Sequence, residues 1–156
     1  LLVKITDLYA TRWRSEQTGY NCIIQKNRRK MMDRKKIMII DDEEDFLFFV
    51  KGNLENTGEF HVLDAASGKE GIEIAKEEKP DLILLDISMP KMSGEEVVKR
   101  LSKIPETKKT PVIFLTALLT KHEIEEGGIS KIAGHKFLAK PIATKQLVAA
   151  INSTLG

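Results

Sequence analysis

From Lys36 onward, short apolar runs alternate with stretches whose apolar residues recur at helical spacing, and turn residues bound both kinds. "KIMII" predicts a first strand. Glu44 to Thr57 predicts a helix with Phe46, Leu47, Phe49, Val50 and Leu54 on one face, ending near Gly58. "FHVLDA" is the second strand, and "SGKEGIEIAKEEKP" reads as a helix capped by Ser67 and stopped by Pro80. "DLILLD" is a third, fully apolar strand. "SGEEVVKRLSKI" gives a third helix, "PVIFLTA" a fourth strand, "TKHEIEEGGISKIA" a weaker fourth helix, "HKFLAK" a fifth strand and "TKQLVAAINSTL" a closing helix. Gly127 and Gly128 each cost up to about 1 kcal/mol in a helix interior, so the fourth helix is expected to be short or mobile.

Five strands alternating with five helices, with strands apolar on both faces, predict an α/β fold: a doubly wound, five-stranded parallel sheet of order 2-1-3-4-5, flavodoxin-like. In such a sheet ligands sit at the carboxyl ends of the strands, beside strands 1 and 3. The 156 residues, 42% hydrophobic, suit one domain with a core, expected over 34–156.

The net charge of +2 hides a division. Residues 1–36 hold ten Lys/Arg against three Asp/Glu, a balance of +7, and 37–156 hold fifteen against twenty, a balance of −5. Such a basic tail is a nucleic-acid or anionic-membrane signal in principle. Here residues 1–33 lack periodicity, the chain starts at Leu1 and Met31 offers a start just before the first strand, so the tail is set aside from the domain. Trp13, Tyr20 and Cys22 are given no chemistry. Cys22 is the only cysteine, which excludes an intrachain disulfide and fits a reducing compartment, the cytoplasm. No apolar stretch approaches the roughly 20 residues that span a bilayer, so no membrane partner is expected.

The run "IMIIDDEED" sets five acids directly after an apolar strand. At the predicted carboxyl ends stand Asp41 and Asp42 after strand 1, Asp86 after strand 3, Thr116 after strand 4 and Lys140 after strand 5. Three carboxylates gathered at one edge repel one another unless a cation sits among them, and hard oxygen ligands suit Mg²⁺. Glu43 to Asp45 lie where the first helix begins and meet its positive dipole end. A flavin phosphate would be repelled by this acidic loop, which lacks a Gly/Ser/Thr-rich cradle. An Asp beside Mg²⁺, facing a hydroxyl and an ammonium, is better built to accept a phosphoryl group and form an acyl phosphate.

"IIDDEEDFL", "LILLDISMPKMSGEE", "VIFLTA" and "KFLAKPI" resemble, in order and spacing, the motifs of response-regulator receiver domains of two-component signalling, the CheY-like family. Asp42 precedes Asp86 by 44 residues, Thr116 follows by 30 and Lys140 by a further 24. The resemblance implies that Asp86 is the phosphoacceptor and that Asp41, Asp42, Asp86 and the Ser88 backbone carbonyl bind Mg²⁺. It implies that Thr116 and Lys140 contact phosphoryl oxygens, that Thr116 swings inward, and that Phe137 is a coupled switch aromatic, the alternative for Phe137 being a plain core ring. Met89, Pro90 and Gly94 complete the loop after the phosphoacceptor, and the peptide before Pro141 is usually cis in the family. Ser88 and Leu118 occupy places where the family varies its hydrolysis rate, and an apolar Leu118 is read as hindering the attacking water.

The implied function is a phosphorelay switch: a histidine kinase or phosphotransfer protein phosphorylates Asp86, and a surface for a downstream effector changes. Such a domain catalyses its own phosphorylation and dephosphorylation but is a signalling module rather than an enzyme. Whether phosphorylation also pairs two copies as a homodimer stays open. A second reading is a protein-binding module of the same fold that works without phosphorylation, against which the full set of acids, threonine and lysine argues. A phosphatase of the aspartyl-nucleophile type needs a second acid where Ser88 stands, and direct nucleic-acid binding lacks a helix-turn-helix. His61, His122 and His135 lack metal-ligand spacing and are expected at surface or edge positions.

Overall fold

The computed structural model describes residues 34–117, 129–132 and 135–156, the second group by its backbone. The tail reading of residues 1–33 therefore lies outside the described residues. Six strands form one sheet: β1 (Lys35–Ile40), β2 (Phe60–Ala65), β3 (Leu82–Asp86), β4 (Val112–Thr116), β5 (Ile129–Ile132) and β6 (His135–Ala139). Four helices are described: α1 (Glu44–Asn56), α2 (Gly68–Glu78), α3 (Gly94–Leu101) and α4 (Thr144–Leu155). The order across the sheet is β2-β1-β3-β4-β6-β5, so the five parallel strands run in the expected 2-1-3-4-5 order.

The central strands are continuously apolar because both of their faces are covered. Ile37 and Ile39 of β1 and Leu82 and Leu84 of β3 join one buried cluster, with Leu47, Val50 and Leu54 of α1 and Leu147, Ala150 and Ile151 of α4. The alternate residues Met38, Ile40, Ile83 and Leu85 point the other way, into a cluster with Ile72 and Ala75 of α2 and Val97 and Leu101 of α3. A buried side chain of this size contributes about 1.5–3 kcal/mol relative to leaving it in water, so β1 and β3 anchor both layers.

Helix ends follow their sequence signals. Ser67 Oγ accepts from the Glu70 amide at 3.3 Å and the Glu70 carboxylate accepts from the Ala66 amide at 3.0 Å, closing the N-terminus of α2. Lys79, at φ 50°, ends that helix just before Pro80. Ser93 caps α3 in the same manner, accepting from the Glu96 amide at 3.3 Å.

Two expectations are corrected. Phe49 is 63% exposed and Phe48 84% exposed; the core face of α1 is set by Leu47, Val50 and Leu54, and at 100° per residue Phe49 falls off that stripe. The second correction concerns the fourth helix, expected through 120–133. Ile129–Ile132 is a strand, antiparallel to β6, with Ile129 opposite Leu138 and Ile132 opposite His135. "ISKI" carries β-branched Ile129 and Ile132 at its two ends, and β6 offers it a ladder partner that favours pairing over helix. The rest of that segment, with Leu118, His122, Gly127 and Gly128, lies outside the described residues.

Candidate functional site

The first acid is fixed by the sheet itself. The Asp41 amide donates to the Ala65 carbonyl at 3.1 Å, carrying the β1–β2 ladder one residue past β1 and leaving the Asp41 side chain fully buried. Its Oδ1 accepts from the Glu43 amide at 3.0 Å, which turns the chain into α1. Asp42, one step on, faces solvent.

Asp86 ends β3 and is 6% exposed. Its Oδ2 accepts from the Ser88 amide at 2.9 Å. The loop beyond folds back, with the Gly94 amide donating to the Ile87 carbonyl at 3.0 Å and Lys91 at φ 68°. A Cβ on Gly94 would stand 2.5 Å from the Asp86 carbonyl oxygen and 3.0 Å from Ile87 Cα, both backbone atoms, so only glycine lets α3 start this close to Asp86. Buried Met89 pins the loop to the α2–α3 layer.

Lys140 enters from the other side. Its amide donates to the Thr116 carbonyl at 2.8 Å, which ties the ends of β4 and β6 together, and its peptide bond to Pro141 is cis. Its ammonium Nζ lies 2.6 Å from Asp41 Oδ2 and 3.2 Å from Asp86 Oδ1, and donates a hydrogen bond to Glu43 Oε1 at 3.1 Å. The Phe46 ring centroid is 4.3 Å from Nζ, an additional cation–π contact.

Burial raises the Asp41 carboxyl above its ordinary value, the Lys140 ammonium and the Glu43 amide oppose that, and the Asp86 charge adds to it. Burial by itself would lower Lys140. The hydrogen bonds to Asp41 and Glu43 and the charges of Asp41 and Asp86 outweigh it and hold the ammonium above its ordinary value. The site is thus anionic with one firmly protonated cation.

Asp41, Asp42 and Asp86 each offer a carboxylate oxygen within 4.8 Å of the others. Asp41 Oδ2 is buried with the Lys140 ammonium 2.6 Å away and has no other polar partner among the described residues, so it keeps a lone pair for a cation. Three hard oxygen donors, one of them buried with a lone pair to spare, fit a divalent ion of the Mg²⁺ type.

The structure gathers Asp41, Asp42, Asp86 and Lys140, with buried Thr116 at the adjoining strand end. Ser88 lies two residues past Asp86 with its amide on that carboxylate. Phe137 stands apart, half-buried, its ring stacked on Phe114 at 5.1 Å between centroids, and Phe114 also meets His135 edge-on at 5.4 Å. His61 and His135 are exposed, as expected of them. Two contacts were not foreseen from the residues, the Glu43 hydrogen bond and the Phe46 ring against Lys140. The only available signal was that a glutamate, a poor capping residue, holds the N-cap of α1 and makes no cap bond.

Comparison with known proteins agrees with this geometry. The family model of the response regulator receiver domain matches residues 37–152. The polar-differentiation response regulator DivK of Brucella ovis is 34% identical over 125 residues, covering 78% of this chain and 97% of that protein. The alkaline phosphatase synthesis transcriptional regulatory protein PhoP of Bacillus subtilis is 33% identical over 121 residues, again 78% of this chain but only 48% of its own, so the chain spans about half the length of that relative. Among solved structures, Vibrio cholerae chemotaxis protein CheY4 superposes with a TM-score of 0.65 at 28% identity, over 77% of this chain and 98% of that one. A response regulator from Desulfuromonas acetoxidans gives 0.65 at 30% identity, over 78% and 96%. The chain belongs to the response regulator receiver domains, the signalling domains of two-component systems.

Proposed function

We propose that Asp86 is the phosphoacceptor of a two-component phosphorelay. The observation that carries this reading is the placement of a nearly buried carboxylate at the end of β3, 3.2 Å from the Lys140 ammonium and beside two further acids. An Asp86 carboxylate oxygen attacks the phosphorus of a phosphohistidine on a partner kinase or phosphotransfer protein. The P–O bond forms, the P–N bond breaks, and the imidazole leaves as the proton-bearing base.

Asp41, Asp42 and Asp86, with the Ser88 backbone carbonyl, would hold Mg²⁺. When bound, that ion supplies charge neutralisation for the transferring oxygens. Lys140, kept protonated by its carboxylate neighbours, pairs with one phosphoryl oxygen, and the Thr116 hydroxyl takes another. The tie between Lys140 and Thr116 transmits the new charge to the ends of β4 and β6, where Phe137 repacks and the surface offered to an effector protein changes. Self-hydrolysis of the acyl phosphate resets the switch. No described helix is long and apolar enough to cross a membrane, and a cytoplasmic place of action fits this chemistry.

Intact mass after incubation with acetyl phosphate, with and without Mg²⁺, tests the reading on the wild type and Asp86→Asn. The expected result is a metal-dependent gain of one phosphoryl group that the variant lacks. No gain in a folded protein that binds Mg²⁺ would overturn it in favour of a binding module that works without phosphorylation.

A further inference from the structure

We propose that Glu43 is a positioning residue that clamps Lys140 in the resting site and opposes the arrival of a phosphoryl group, a role that rests on the phosphoacceptor reading of Asp86. An ammonium has three N–H donors and no acceptor. Around Lys140 Nζ stand three carboxylates, Asp41 at 2.6 Å, Glu43 at 3.1 Å and Asp86 at 3.2 Å, and the Phe46 ring at 4.3 Å closes a further side. A phosphoryl oxygen has to compete with these contacts for the Lys140 donors, so the carboxylate that yields most readily governs how easily Lys140 can serve the reaction.

The three carboxylates are not equivalent. Asp41 is fully buried and has no water to turn to, and Asp86 is the acceptor itself. The Glu43 side chain is 67% exposed while the Lys140 side chain is 11% exposed, so the clamp reaches inward from solvent onto a shielded cation. Glu43 also occupies the N-cap of α1 without making a side-chain cap bond, which leaves its carboxylate committed to Lys140 rather than to the helix. Releasing it costs little, because an exposed carboxylate regains water. Until then its charge lies on the solvent side of the site, where it repels any phosphate-bearing donor.

The variant Glu43→Gln keeps the length and removes the charge. With acetyl phosphate and Mg²⁺ at low salt it should phosphorylate about three- to fivefold faster than wild type by intact-mass time course, the scale set by an exposed ion pair. In roughly 0.5 M salt the two rates should converge as screening shortens to a few ångströms. Glu43→Asp, which restores the charge, should return the rate toward wild type. Independently of any donor or metal, the ¹⁵N resonance of the Lys140 ammonium should shift in Glu43→Gln. Phosphorylation of wild type and Glu43→Gln at rates within about 1.5-fold of each other at low salt, with an unmoved Lys140 resonance, overturns the clamp alone. No mass gain in either protein with any donor overturns the phosphoacceptor reading and the clamp with it.

Discussion

Asp41 shows how a functional group can oppose the fold that holds it. It is a fully buried carboxylate whose strongest influence, burial, disfavours its charged form. Its folded value lies above the ordinary 3.8, so the folded state holds its proton to higher pH than the unfolded chain does. In strong acid both states are protonated and nothing is lost; as pH rises past the ordinary value and through the raised folded value, stability falls. Asp41→Asn should therefore be more stable than wild type in metal-free buffer at neutral pH, and urea titrations at a series of pH values should show that advantage vanish toward strong acid. Gly94 presents the opposite case, a residue whose only contribution is lacking a side chain. Gly94→Ala places a methyl 2.5 Å from a backbone oxygen that cannot rotate away, and the expected loss is about 1–3 kcal/mol, read from the urea midpoint. Much of this scale was legible beforehand: the acids, Thr116 and Lys140 announce themselves by standing after apolar runs. The Glu43–Lys140 bond spans 97 positions and connects two elements whose relative placement no local pattern encodes.

Among the elements, the first three strands and the helices that begin at Gly68 and Gly94 follow their patterns because capping serines and the apolar period agree. The α1 face was misread by one residue because an almost unbroken apolar run, "FLFFV", contains several possible stripes, and only packing against β1 and α4 selects Leu47 and Val50 over Phe49. The 129–132 segment was misread for a different reason. A four-residue run between glycines, apolar only at its two ends, is too short to outweigh a preceding stretch of helix formers, and what decides it is a partner strand, β6, that lies later in the chain. Amide exchange should show protection at Ile129–Ile132 that rises and falls with that of His135–Ala139, since the two strands share a ladder. Fast exchange at 129–132 beside a protected β6 would refute the pairing.

At the scale of the whole molecule, the order 2-1-3-4-5 was legible because fully apolar strands separated by helices leave few other arrangements, and that order sets the carboxyl ends of β1 and β3 side by side. Site and scaffold are therefore coupled: the acids repel when the cation is missing, and a cation that binds only the folded form stabilises all of it. Titrating Mg²⁺ should raise the melting temperature of the wild type, with a gain of about 2.7 kcal/mol when the free ion exceeds its dissociation constant a hundredfold. Asp42→Asn, exposed and outside the core, should fold as well as wild type yet lose most of that gain. The split of β1 between two layers carries one more consequence, for how such a chain can vary in length. Successive residues of Lys35–Ile40 face opposite cores, so deleting one of them would exchange Ile37 and Ile39 with Met38 and Ile40 and drag Asp41 back by about 3.3 Å. The strand is a ruler with the acid at its last mark, so a change of length belongs in the connecting loops rather than in β1 itself.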